Sequence, residues 1–393
     1  MMRKKLILTL SICSIISFNS YAFLMSRLAD KVQSTKTQQT NKISPINMQN
    51  LHKLAISLKD ENFSNKILAY SDYFIGKPYD TEIGTNLIIW DKNRDKNELI
   101  NIETFDCFSY IEMVIALAEI KEPNADSEKF KEQLAEALAK IMFLSDDISY
   151  VNRNHFMDEW LKNNSKYFTM ENIFTKLPYA KVKTAMINKA GLLETQLNNY
   201  IKDNVSKDEC FSFGEKYNQI KSIKPFKSDI SYISFSDFLD HKQELTKQLV
   251  NKTQLNSESF RQDEFKDEPA ERIKIREQRR MSKNSLESSF LNDAVYLMVM
   301  TMDNPKLLEL TKSEHNIAHV GFVFTKNDKL YFRHATPVGP KDIVEVPLEE
   351  YATGKKESKI FTGFTLFSLE QKDNPCQQRS KNDTDFKYAS AEN

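Results

Sequence analysis

One cysteine and two histidines stand where chemistry is possible. Cys107 lies in TFDCFSYIEMVIALAEI, where Thr104 and Asp106 precede an apolar run that recurs at helical spacing through Phe108, Ile111, Met113, Val114 and Leu117. The pattern predicts a helix opening at Cys107 and capped by Asp106. Free N–H groups and the positive end of the helix dipole favour a thiolate there, the nucleophilic form of sulfur. The competing reading is an inert core cysteine, which falls more often inside an apolar stripe than at its polar mouth. His319 opens HVGFVF and His334 nearly closes KLYFRHA. Joined as a hairpin around residues 325–328, those strands bring both imidazoles to one end of a sheet. A thiol at a helix mouth, a histidine base and a second polar group that orients the base form a nucleophilic catalytic unit. A metal reading competes, since His315 and His319 are four apart. It is the weaker one, because Asn316-Ile317-Ala318 lacks the glutamate of a helical zinc motif and His319 leads into a strand.

The elements that must position these groups follow in chain order. Leu51, Leu54, Ile56 and Leu58, then Ile67, Leu68, Tyr73 and Phe74, predict two short helices before the GKPYD turn at 76–80. A strand is expected at 86–90 and a packing helix over 127–143. ISYVNRNHFMDEW gathers Arg153, His155, Asp158 and Trp160 on a connecting segment, as a binding wall would. The equally good bland reading is an ion pair beside a half-buried Trp. The last third is strand-rich: residues 294–300, 319–324, 329–335, 342–346 and 361–367, with links short enough for antiparallel pairing.

The N-terminus reads as an export signal: Arg3, Lys4 and Lys5, an apolar stretch from Leu6 to Phe18, and Ser20-Tyr21-Ala22 as the cleavage region. The apolar run is too short to span a bilayer, so no stable membrane anchor is expected after cleavage. A lipidated Cys13 is disfavoured by Ile12 where a small residue is wanted. The whole chain has 55 basic and 55 acidic residues, and removing the signal leaves 52 against 55, a balance that gives no reason to expect a nucleic-acid partner. Three cysteines then remain, Cys107, Cys210 and Cys376, too few for a disulfide framework; Cys210 and Cys376 are free to pair if geometry allows. The expected organisation is a signal at 1–22, a flexible leader at 23–50, one catalytic domain at 51–370 with a charged insertion at about 240–283, and a polar tail at 371–393.

Taken in order, GKPYD, ETFDCFSYIEMVIALA, ISYVNRNHFMDEW, IAHVGFVF, LYFRHAT and VEVPLEEYATGK resemble the N-acetylmuramoyl-L-alanine amidase-like proteins, in the NlpC-type branch of papain-like cysteine hydrolases. The resemblance covers about residues 65 to 370. It implies an α+β fold of papain-like, NlpC type, an antiparallel sheet packed against helices with the nucleophile at a helix N-terminus. It implies Cys107 as nucleophile, His319 as general base and His334 as its orienting partner. Tyr79, Asp106, Arg153, His155, Asp158 and Trp160 become substrate contacts, with Arg153 for a stem-peptide carboxylate and Trp160 for a sugar or alanine face. Phe108, Ser109, Phe156 and Thr336 depart from the commoner family residues, and the charged stretch at 240–283 is longer than usual; the triad survives these departures, while the insertion puts substrate preference in doubt. The implied activity is a periplasmic amidase acting on peptidoglycan or muropeptides at the N-acetylmuramoyl-L-alanine bond, with no metal or organic cofactor. An endopeptidase cutting D-glutamyl to diaminopimelate, and a catalytically silent wall-binding protein, are the alternatives.

Overall fold

The computed structural model describes residues 45–81, 95–204, 213–264 and 295–372. The expected signal, the strand at 86–90, Cys210, Cys376 and most of the tail lie outside these residues. Pro45 starts the first helix, α1 (Pro45–Ser57), so the expected leader ends earlier than 50. Its Met48, Leu51 and Ala55 are buried, which ties this turn to the core. α2 (Phe63–Tyr73) follows, capped by Asn62. After the turn at Gly76, whose φ of +79° suits glycine, come α3 (Cys107–Glu119), α4 (Ser127–Met142) and α5 (Met157–Asn164).

The middle of the chain adds β1 (Phe168–Thr169), β2 (Lys181–Ile187), α6 (Lys189–Asn204), α7 (Gly214–Ser222) and β3 (Phe226–Tyr232). β2 and β3 pair antiparallel as a sheet of their own. α8 (Phe235–Glu264) is a single helix running into the expected insertion. Phe235, Phe238, Leu245 and Leu249 on it are buried in the second core, so its first half is a packing element and the boundary at 240 falls too early. Residues 265–294 lie outside the described ones.

The last third carries β4 (Val295–Met302), α9 (Pro305–Thr311), β5 (Ile317–Lys326), β6 (Lys329–Ala335), β7 (Ile343–Pro347), α10 (Leu348–Lys355), β8 (Phe361–Ser368) and β9 (Glu370–Gln371). Five of these strands form one antiparallel sheet in the order β7-β6-β5-β4-β8. Both faces are covered. Val320, Phe322 and Phe324 join Tyr110 and Val114 of α3 in the main core, while Val323, Phe332, Phe364 and Leu366 join Phe238 of α8 and Leu348 of α10 in the second. That is why β4 reads as an unbroken apolar run: all eight of its residues are buried.

Two local devices set the ends of β5 and β6. Asn327 and Asp328 both take positive φ, 51° and 57°, between the paired Lys326 and Lys329, the two-residue turn whose twist suits a hairpin. At the other end the β4–β5 register shifts between Met300 and Thr301, which pair with His319 and Ile317. Ala318 is left as the extra residue of a bulge, a feature that re-aims neighbouring side chains.

Candidate active site

The sulfur of Cys107 is placed by the cap of its own helix. Asp106 Oδ1 accepts from the Phe108 N–H at 3.0 Å and the Ser109 N–H at 2.6 Å, and Ser109 Oγ accepts from the Asp106 N–H at 3.0 Å. This reciprocal box satisfies backbone donors that a helix start leaves open. The backbone N–H groups of Val320, Cys107 and Phe108 pull the thiol's pKa down. Val320 directly follows His319, and both line a cavity with Cys107.

His319 and Cys107 line one cavity, with Asp106, His155, Asp158 and Asn316 among its other walls. His319 Nε2 lies 2.7 Å from His334 Nδ1, and the rings stand at 85°. Phe332 stacks on His334 at 4.4 Å, and Tyr351 of α10 meets it edge-on at 5.2 Å. Gly321 lets these groups approach: a Cβ there would come within 2.6 Å of Arg333 O and 2.8 Å of His334 Cβ. Next to His334, the buried Arg333 donates through Nη1 to Leu68 O at 3.1 Å and Ser71 Oγ at 2.6 Å. Its Nη2 donates to Asp72 at 3.0 Å and Glu345 at 2.5 Å, pinning β6 and β7 to α2.

Burial dominates the electrostatics. It pushes the Cys107 thiol up, with Asp106 adding to the effect, against the pull of the three N–H groups. Desolvation thus works against the helix terminus and favours the protonated thiol. Burial, with the Lys355 charge behind it, takes His319 down to about 3. His334 is held well below the ordinary histidine range by burial, His319 and Lys355. Burial thus favours the neutral form of both imidazoles.

The cluster at 153–160 divides. His155 and Asp158 line the cavity. Arg153 does not: its Nη2 donates to Glu112 Oε2 at 2.8 Å, and neither side chain is more than 3% exposed. Trp160 is 0% exposed, inside the main core. The expected roles of Arg153 on a carboxylate and Trp160 on a sugar fail, because neither surface is available to a ligand. A readable sign was Glu112, the one charged residue in an apolar helical run, which requires a buried counter-charge. Glu112 is raised to about 7 by burial, with Arg153 opposing. Tyr79 is anchored through its backbone, its N–H donating to Lys341 O at 2.7 Å and its strand bridging Phe105. Burial raises its phenol, as does its neighbour Cys107. His315, considered for zinc, lies 2.9 Å from Thr311 Oγ1. Asn316, Tyr351 and Lys355 come from the structure alone, and only the resemblance of VEVPLEEYATGK touched the last two.

The sequence model of the AmiA-like, N-acetylmuramoyl-L-alanine amidase-like family matches residues 69–252. That span holds Cys107 and the 153–160 cluster and ends before His319 and His334. Among solved structures, a Legionella pneumophila (strain Philadelphia 1) protein of family DUF1460 superposes with a TM-score of 0.56 at 19% identity, over 82% of this chain and 94% of that one, a likeness of fold. An N-acetylmuramoyl-L-alanine amidase from Bacteroides uniformis gives 0.44 at 16% identity, over 79% and 99%. Matches to curated proteins are short. A tRNA (guanine-N(1)-)-methyltransferase of Rickettsia bellii is 53% identical over 78 residues, 20% of this chain and 28% of that protein. A UDP-N-acetylmuramoylalanine–D-glutamate ligase of Rickettsia conorii is 66% identical over 44 residues, 11% and 9%. The chain thus spans about a quarter or less of these relatives, and their activities do not carry over.

Proposed function

Residues 69–252 belong to the N-acetylmuramoyl-L-alanine amidase-like family, the chain is a hydrolase of the amidase-like type, and we propose that it is an exported cysteine amidase of papain-like, NlpC type. Its substrate is peptidoglycan or a muropeptide, and the bond cut joins N-acetylmuramic acid to L-alanine. The observation that carries the reading is the pairing of His319 with His334 at 2.7 Å beside a cavity that Cys107 shares.

The mechanism follows from which nitrogens are committed. His319 Nε2 is engaged by His334, which leaves Nδ1 for the thiol proton. Substrate entry displaces water and brings a polarised carbonyl to the sulfur. As the S–C bond forms, the proton passes to His319 and the carbonyl oxygen becomes an oxyanion. The N–H of Cys107, at the first helical position, is free of intrahelical bonding and suits that oxyanion. The imidazolium then gives its proton to the leaving alanine nitrogen as the C–N bond breaks. A water molecule, deprotonated by the same ring, attacks the thioester and frees the muramoyl carboxylate and the thiol. His334 keeps His319 in one tautomer throughout, the part that a third residue plays in such units.

Mass spectrometry of a muropeptide digest tests the assignment. Free disaccharide and intact stem peptide are expected; shortened peptides still on sugar would replace the amidase with an endopeptidase. Cys107→Ala should abolish turnover while leaving the protein folded, and residual activity in it removes the mechanism. Export is tested by N-terminal sequencing of the periplasmic protein, which should begin at Phe23.

A further inference from the structure

Besides Cys107 and His319, the cavity is lined by polar side chains whose unpartnered atoms are acceptors. Asn316 is 0% exposed and is one of them. Its Nδ2 donates to Asp158 Oδ1 at 3.3 Å and to Ser228 O at 3.2 Å. Both partners are acceptors, so the amide orientation is fixed and Oδ1 is left over. That oxygen has no hydrogen-bond partner among the described residues. His155 repeats the pattern. One ring nitrogen, Nε2, lies 2.7 Å from Tyr150 O; a carbonyl can only accept, so the proton is on Nε2 and Nδ1 is a bare lone pair. Nδ1 too is buried without a partner. Asp158, between them, already accepts from the Ser228 hydroxyl and the Asn316 amide.

No Lys or Arg lines the cavity, and the two cations whose charge reaches His155, Lys189 and Arg153, are paired with Glu159 and Glu112. Two orphaned acceptors and a carboxyl with no cationic partner would be a heavy penalty in a site that stayed empty. They form a wall that a donor completes and an anion is repelled from.

Resting on the amidase reading, we propose that Asn316 Oδ1 and His155 Nδ1 form an acceptor-only subsite for an N–H donor of the substrate, an amide rather than a carboxylate, and that this pair sets specificity. The chemistry favours a stem peptide whose second residue is amidated. A hydrogen-bonding site of this kind discriminates strongly, because the wrong ligand leaves its buried groups unpaired.

The test is binding to the Cys107→Ala protein, measured by calorimetry with two probes, N-acetylmuramoyl-L-alanyl-D-isoglutamine and N-acetylmuramoyl-L-alanyl-D-glutamate. The carboxamide should bind roughly tenfold tighter or more. His155→Gln keeps a donor for Tyr150 O while deleting the Nδ1 acceptor, and Asn316→Leu deletes Oδ1 at similar volume. Each should bring the ratio of the two affinities towards one. Equal or tighter binding of the carboxylate, binding of neither probe, or a ratio unchanged in both variants overturns the subsite. The cleavage assignment is read separately. If the wild-type protein leaves both probes intact while the Cys107→Ala preference persists, the assignment fails and the subsite stands; cleavage without preference removes the subsite alone.

Discussion

His319 and His334 meet through Nε2 and Nδ1 at 2.7 Å, and this contact couples the protonation of the two rings. For His319 to take the thiol proton at Nδ1, its Nε2 must carry hydrogen and donate. His334 Nδ1 is then the acceptor, and His334 holds its own proton on Nε2. Replacing His334 by Ala removes the acceptor and frees the tautomer, which should lower kcat by about 10²-fold or more with KM little changed. His334→Asn, whose side-chain oxygen can fall near the Nδ1 position, should restore part of that loss. Steady-state kinetics on a muropeptide checks this, and equal rates for His334→Ala and wild type would remove the orienting role.

Asp106 does two opposed things at the helix start. It caps the helix, and its charge helps push the neighbouring thiol up. Asn is as good a cap as Asp, so Asp106→Asn should keep the fold and take away the charge. Alkylation of Cys107 by iodoacetamide at pH 8 should therefore be faster in the variant, with an unchanged circular dichroism spectrum. A slower reaction would mean that the carboxylate does not oppose the thiolate.

Four histidines, three buried and His315 half-buried, make the fold acid-sensitive. His315 is lowered to about 4 and His319 to about 3 by burial, and His155 and His334 lie well below 6.5. Between the unfolded value near 6.5 and these folded values, the unfolded chain binds more protons. Their contribution to stability is full above pH 6.5 and is lost as pH falls towards 3. Glu112, raised to about 7, has the opposite sign, losing stability as pH rises from 4.5 to 7. Asp106 and Asp158, raised by burial, act in the same direction as Glu112, while the lowered Asp126, Asp229, Asp237 and Glu345 act with the histidines, so four imidazoles and four carboxylates stand against three carboxyls. Tm should fall on acidification from pH 6.5 to 4, and a flat or rising Tm in differential scanning calorimetry would contradict it.

Gly321 is the spacer of the β5–β6 approach. A methyl group there meets a backbone oxygen at 2.6 Å, which cannot swing aside as a flexible side chain can. Gly321→Ala should cost about 1–3 kcal/mol of stability, the usual range for overpacking, read from urea unfolding. It should also lower kcat more than it raises KM, because His334 is among the groups displaced.

How far the sequence could be read depended on whether the controlling interaction was local. The helix at Cys107 was legible from Asp106 and the apolar spacing, and the β5–β6 hairpin from Asn327-Asp328 between apolar runs; both are decided within a few residues. The β2–β3 pair was not anticipated, since most of its side chains stay at least partly exposed and lysines interrupt its apolar positions. Arg153 and Trp160 were misassigned for a different reason. A dense cluster of capable side chains does not say which of them face a cavity, and that is decided by Glu112, far away in sequence. Asn316 gave no signal, because an orphaned acceptor exists only once Ser228 and Asp158 have taken up its other atom.

The division of the site between a helix near the front of the chain and a hairpin near its back has a cellular consequence. On the proposed mechanism the sulfur emerges from the ribosome long before either imidazole, so the nascent chain has the thiol and not yet its base. A chain cut short before β5 and β6 should then be inactive.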